Sequence, residues 1–175
     1  GVEYHLNTGK GVTDAWNYGA SLAKYPYICW INNDLLFTKG WDKPLLDNLN
    51  DDVWVTSPFH TAFEIPPDFP IGINRHNNME AATTGIKFLG SCFMMEKKNW
   101  ERVGPIDPRM KIWCGDNYIY ESIVRDFGRT VKEVPESYIH HLISQTLKPD
   151  FDNPEGKMKP QTELDMKEFE NIFIE

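Results

Sequence analysis

The chain is 175 residues long, 41% hydrophobic and 13% aromatic, which suits one globular domain and excludes disorder, collagen and coiled coil. A net charge of −8 with a pI of about 5.1 speaks against a nucleic-acid partner, because backbone recognition needs a basic surface. No apolar run approaches the length of a membrane span. The opening residues do not read as a signal peptide, and three widely spaced cysteines, Cys29, Cys92 and Cys114, form neither a disulfide framework nor a zinc knuckle. The expected setting is reducing and cytoplasmic.

In chain order, residues 2–6 alternate like a strand, and residues 13–24 read as a helix with Ala15, Trp16, Gly19, Ala20 and Ala23 on one side. Residues 27–31 are a continuous apolar run, expected of a strand buried on both faces. A short helix over 41–49 tolerates Pro44 in its first turn, and 53–56 is a strand. Residues 61–84 have no clear period and read as a long loop, functional or mobile. A strand over 88–95 is followed by a helix over 97–103, stopped by Gly104 and Pro105. Residues 115–127 form a helix stopped by Gly128, and 131–134 and 138–141 are short strands. Strands alternating with helices predict an α/β sheet with parallel character.

The last stretch, 147–175, is distinct, with eight acidic and four basic residues, a net of −4. Prolines 149, 154 and 160 predict an extended start, and 161–173 a helix docking through Leu164, Phe169, Ile172 and Phe173. The chain thus divides into a body, 1–146, and a packed extension, 147–175.

Three places carry chemistry. Asn32-Asn33-Asp34 follows a buried strand at once, where α/β sheets bind ligands; Asp34 either holds a hard cation or belongs to an ordinary turn. Asp116, after Trp113-Cys114-Gly115, is either a helix N-cap or a general base beside indole, with Asp107 the next candidate. His140-His141 lies at a strand end, as metal ligands, switches or hydrogen-bonded structural groups.

The order and spacing of five motifs resemble the family 2 glycosyltransferases of GT-A fold. They are Asn7-Thr8-Gly9 running through Ala15, Asn17 and Gly19; Tyr27-Ile28 to Asn32-Asn33-Asp34, similar to a DxD motif; Gly90-Ser91-Cys92-Phe93 with Trp100, Val103-Gly104 and Ile106-Asp107; Trp113 to Gly115-Asp116; and His141, Ser144 and Thr146.

The resemblance implies an α/β, GT-A-like fold, a mixed, mainly parallel sheet flanked by helices and truncated at its amino end by roughly 50–70 residues, the βαβ stretch that binds the nucleotide. It implies an inverting enzyme with a nucleotide-diphosphate sugar donor and a carbohydrate or other hydroxyl acceptor. Asp34, expected at the end of a central strand, would hold Mg²⁺ or Mn²⁺ with His141. Asn32 and Asn33 flank it; Asp116 would be the base; Trp113 and Gly90-Ser91 would shape the sugar pocket; Asn17 would frame the donor side. The open sheet edge is expected to pair with a second copy. Two other readings stand beside this one: an inactive carbohydrate-binding or scaffolding fragment, and another metal-dependent α/β nucleotide enzyme.

Overall fold

The computed structural model describes residues 3–6, 11–62, 88, 90–142 and 158–173. Helix α1 (Val12–Leu22) leads into strand β1 (Tyr27–Ile31), the short β2 (Leu35–Phe37), helix α2 (Asp42–Asn48) and the long β3 (Val53–Ala62). Strand β4 (Cys92–Glu96) runs directly into α3 (Lys97–Val103). Helix α4 (Gly115–Glu121) loosens into a π-helical turn (Ser122–Asp126), β5 (Thr130–His141) follows, and α5 (Met158–Phe173) is the last element described. Gly128 ends the α4 segment with φ 58°, the left-handed stop expected there.

The strands form one mixed sheet in the order β1-β4-β3-β5-β2. Strand β4 is apolar on both faces because both are covered. Phe93 and Met95 join the main core of Trp30, Val55, Trp100, Ile119 and Ile123, with the Trp30 ring stacked on Phe93 at 4.7 Å. Met94 meets Leu45 of α2 and Val134, and Cys92 meets Leu35 and Ile139, so the opposite face is sealed as well.

Four expectations are corrected. The parallel share is smaller than expected: β3–β5 is parallel, while β1–β4, β3–β4 and β2–β5 are antiparallel. Residues 3–6 form no strand and lie exposed, Tyr4 by 85%, because no described strand offers them a ladder. The two short strands after Gly128 are one, β5; its register on β3 jumps from Pro58↔Val134 to Phe59↔Tyr138, so residues 135–137 bulge out at Pro135, which has no N–H to give. On α5, Leu164 is 55% exposed and the buried residue is its neighbour Asp165. Residues 61–62 belong to β3; the rest of the expected loop, Asn7-Thr8-Gly9, Ser144, Thr146 and the start of the extension fall outside the described residues.

Candidate active site

Strand β1 ends at Ile31, and the next three residues turn the chain back into β2. Leu35 pairs with His141 across β2–β5, and the Leu142 amide donates to the Asp34 carbonyl at 2.9 Å. This pairing sets Asp34 beside the end of β5. Asp34 Oδ1 and His141 Nε2 stand 3.3 Å apart, 13% and 17% exposed, at an angle that makes no hydrogen bond, and neither atom has another hydrogen-bond partner among the described residues. Asp34 therefore does follow a strand end, but β1 is an edge strand of the described sheet rather than a central one. Asn33 is exposed, while the Asn32 amide donates to the Ser91 carbonyl at 2.9 Å.

The neighbourhood is richer in imidazole than the sequence suggested. His60 of β3 faces His141 edge-on, ring centroids 6.5 Å apart. Burial first, then the neighbouring His141 and His140, push the His60 pKa down to about 4. Burial, then His141, lowers His140 as well. No spacing rule connects His60 to residues 80 positions away; only the β3–β5 register brings them together.

Asp116 is not an N-cap. Cys114 occupies that position, in a left-handed conformation (φ 64°) that costs a non-glycine residue on the order of 1 kcal/mol. Asp116 lies inside the first turn of α4, where Oδ1 accepts from the Asn117 amide (3.0 Å) and Oδ2 from the Gly90 amide (3.2 Å). Its carboxyl is largely desolvated, and that burial raises its pKa above the ordinary carboxylate range, only partly offset by the Gly90, Asn117 and its own backbone amides. Asp107 contrasts with it: Arg109 grips its carboxylate at 2.8 and 3.0 Å and lowers its pKa. Asp107 is thus poorly suited to take a proton near neutrality.

The Gly90-Ser91 turn sits between the two carboxylate-bearing loops, binding Asn32 through Ser91 and Asp116 through Gly90. Trp16 of α1 presses on both walls: a Cβ on Gly90 would come within 2.9 Å of its ring and displace it, and one on Gly115 would lie 3.0 Å from the same ring. Trp113 enters the same loop as Asp116 and is partly buried. Asn17 spends its amide on the Ile106 backbone, donating at 2.8 Å and accepting at 2.9 Å, which straps α1 to the segment after α3. Two surface hollows, one beside Pro26 and Glu101, the other beside Asn17 and Pro105, hold none of Asp34, Asp116 or His141.

A family model described as "Glycosyl transferase family 2" matches residues 2–101. The chain belongs to that family. It is also 23% identical to a Drosophila melanogaster protein named "Putative polypeptide N-acetylgalactosaminyltransferase 9", over 76% of this chain and 25% of that protein. The chain thus spans about a quarter of the length of the curated relative it matches. The family match accounts for the GT-A, α/β architecture, and it stops before Asp116 and His141.

The donor set at Asp34 and His141 fits a divalent cation. Two buried ligand atoms converge with their hydrogen-bonding capacity unspent, an arrangement that costs energy unless something is held between them. Among the described residues no cluster of three or more such side chains occurs. No helix among the described residues is long and apolar enough to cross a membrane.

Proposed function

We propose that this chain is the catalytic part of an inverting glycosyltransferase that moves a sugar from a nucleotide-diphosphate sugar to a carbohydrate or other hydroxyl acceptor. The observation that carries the reading is the Gly90-Ser91 turn, which ties the desolvated Asp116 to the strand-end loop of Asp34. Asp116 takes the acceptor's hydroxyl proton as that oxygen bonds to the anomeric carbon. The bond from this carbon to the diphosphate oxygen breaks, and its electron pair leaves with the nucleoside diphosphate. One displacement inverts the centre. Asp34 and His141 would hold Mg²⁺ or Mn²⁺, which when bound neutralises charge on the departing diphosphate. Trp113 and the Gly90-Ser91 turn line the sugar side; Asn32 and Asn33 border the donor; Asn17 acts through the Ile106 strap.

A reducing, cytoplasmic setting fits the three free thiols. The outer edge of β1, where Tyr27 and Ile31 are 44% and 49% exposed, fits pairing with a second copy, which sedimentation velocity would read as a dimer.

The test is transfer and hydrolysis of nucleotide sugars with Mn²⁺, in parent and Asp116→Asn. Transfer should fall by about 10²–10⁴-fold while donor binding, followed by thermal shift, stays at the parent level. A variant that transfers at the parent rate removes Asp116 as base. A parent that binds sugar and turns over no donor supports the binding-fragment reading instead, and stabilisation by nucleoside triphosphates rather than nucleotide sugars supports a different nucleotide enzyme.

A further inference from the structure

We infer that Asp165, on α5, is a positioning residue for Asp116: its carboxylate clamps the backbone of residues 111–113 and so sets where the candidate base stands. The inference rests on the reading of Asp116 as the base.

Asp165 is fully buried, although its helical neighbours Leu164 and Met166 are 55% and 51% exposed. Its Oδ1 accepts from the Lys111 amide at 3.1 Å, and its Oδ2 from the Ile112 and Trp113 amides at 2.8 and 2.9 Å. Gln161, one turn earlier, donates to Oδ1 at 2.6 Å and holds the carboxylate in that pose. Three successive N–H groups turned on one anion form a nest of the kind that usually cradles a phosphate, and here an internal carboxylate fills it. The same loop is held from its other side, where the Thr13 hydroxyl of α1 donates to the Met110 carbonyl and the Thr13 amide to the Lys111 carbonyl at 3.2 Å. Next come the left-handed Cys114 and Asp116, whose Oδ2 is held by the Gly90 amide.

Docking of α5 does not require a buried charge. Phe169 and Ile172 pack on the core, the Phe173 ring meets Tyr118 edge-on at 5.4 Å, and Glu168 pairs with Arg109 at 3.1 Å. An apolar side chain at position 165 could pack against the body but would leave the 111–113 amides without their acceptor. What the carboxylate adds is a fixed path for 111–113, and a displacement of about 1 Å near a reacting group is enough to cost roughly 10²-fold in rate.

Amide hydrogen exchange followed by NMR on the purified chain tests the idea without relying on turnover. Asp165→Asn should raise exchange at least tenfold at residues 111–113 and also at Gly90, which Asp165 does not touch, while the Phe93 and Met95 amides keep parent rates. Phe169→Ala, which loosens α5 elsewhere, should leave Gly90 at the parent rate. In transfer assays Asp165→Asn should lower kcat by ten- to a hundredfold with KM for the donor near the parent value. A Gly90 amide unmoved by Asp165→Asn, or moved equally by Phe169→Ala, overturns the inference. Should Asp165→Asn not fold, Gln161→Ala carries the same readout on a milder scale, and parent-rate exchange at Gly90 there overturns it too. Failure of the base reading looks different: Asp116→Asn stays active while the exchange coupling from position 165 to Gly90 persists.

Discussion

Two aspartates flank the loop before α4, and their settings are opposite. A carboxylate offers about four acceptor sites. Asp165 fills them with three backbone amides and the Gln161 amide. Asp116 receives only the Gly90 and Asn117 amides from its neighbours, and burial raises its pKa. The difference teaches that burial alone does not make a carboxylate reactive. A saturated one holds backbone in place, while a desolvated, undersupplied one keeps room for a proton. Asp34 is a third case, shut off from solvent beside an equally unsatisfied imidazole, where the proposed cation would bind.

The largest effect that would break this comparison belongs to Asp165→Ala. It leaves the three part-buried amides of 111–113 without their acceptor, at about 1–3 kcal/mol for each one that water does not reach, so chemical denaturation should show a loss of about 3 kcal/mol or more. Leu164→Ala, one residue away and largely exposed, should stay within about 0.5 kcal/mol. Comparable losses from the two variants would erase the distinction. A smaller effect concerns Asp34. Mn²⁺ at a hundredfold over its Kd should stabilise the parent by about 2.7 kcal/mol, and Asp34→Asn should lose most of that gain. Equal thermal shifts in both proteins would mean the cation sits elsewhere.

The smallest and sharpest test is pH. A carboxyl whose pKa is raised on folding binds more protons folded than unfolded, so its contribution to stability falls as pH rises through the window from the ordinary aspartate value up to the raised one. Asp116→Asn should flatten that decline and match or exceed the parent's stability at neutral pH. Transfer by the parent should instead rise with pH through the same window, because the base works deprotonated. Parallel stability curves for parent and variant would mean that burial does not raise the Asp116 pKa.

Much of the candidate site was legible because its signals are local. The run 27–31 ends in three polar residues, and a strand followed by Asn-Asn-Asp marks a turn or a ligand site whatever the partners are. His141 was legible as a strand-end imidazole, and Asp116 as an acid opening a helix. Position alone did not separate cap from base at Asp116: a first-turn aspartate resembles a cap until the Gly90 amide, 26 residues upstream, is seen to bond it.

Apolar period and glycine or proline punctuation by themselves determined β1 at 27–31, α3 at 97–103 and the stop at Gly128, because these depend on residues within a turn or two of each other. They also determined that a helix would close the described chain. Which residue of that helix goes inside was decided only in three dimensions. Hydrophobicity favours Leu164 over Asp165 by a wide margin, yet the amides of 111–113 supply a polar socket that no helical period encodes. Likewise the β3–β5 register placed His60 beside His141, and the antiparallel returns of β2 and β4 kept most of the sheet from being parallel. Each of these outcomes depends on long-range hydrogen bonding, whose geometry exists only once the chain has closed on itself.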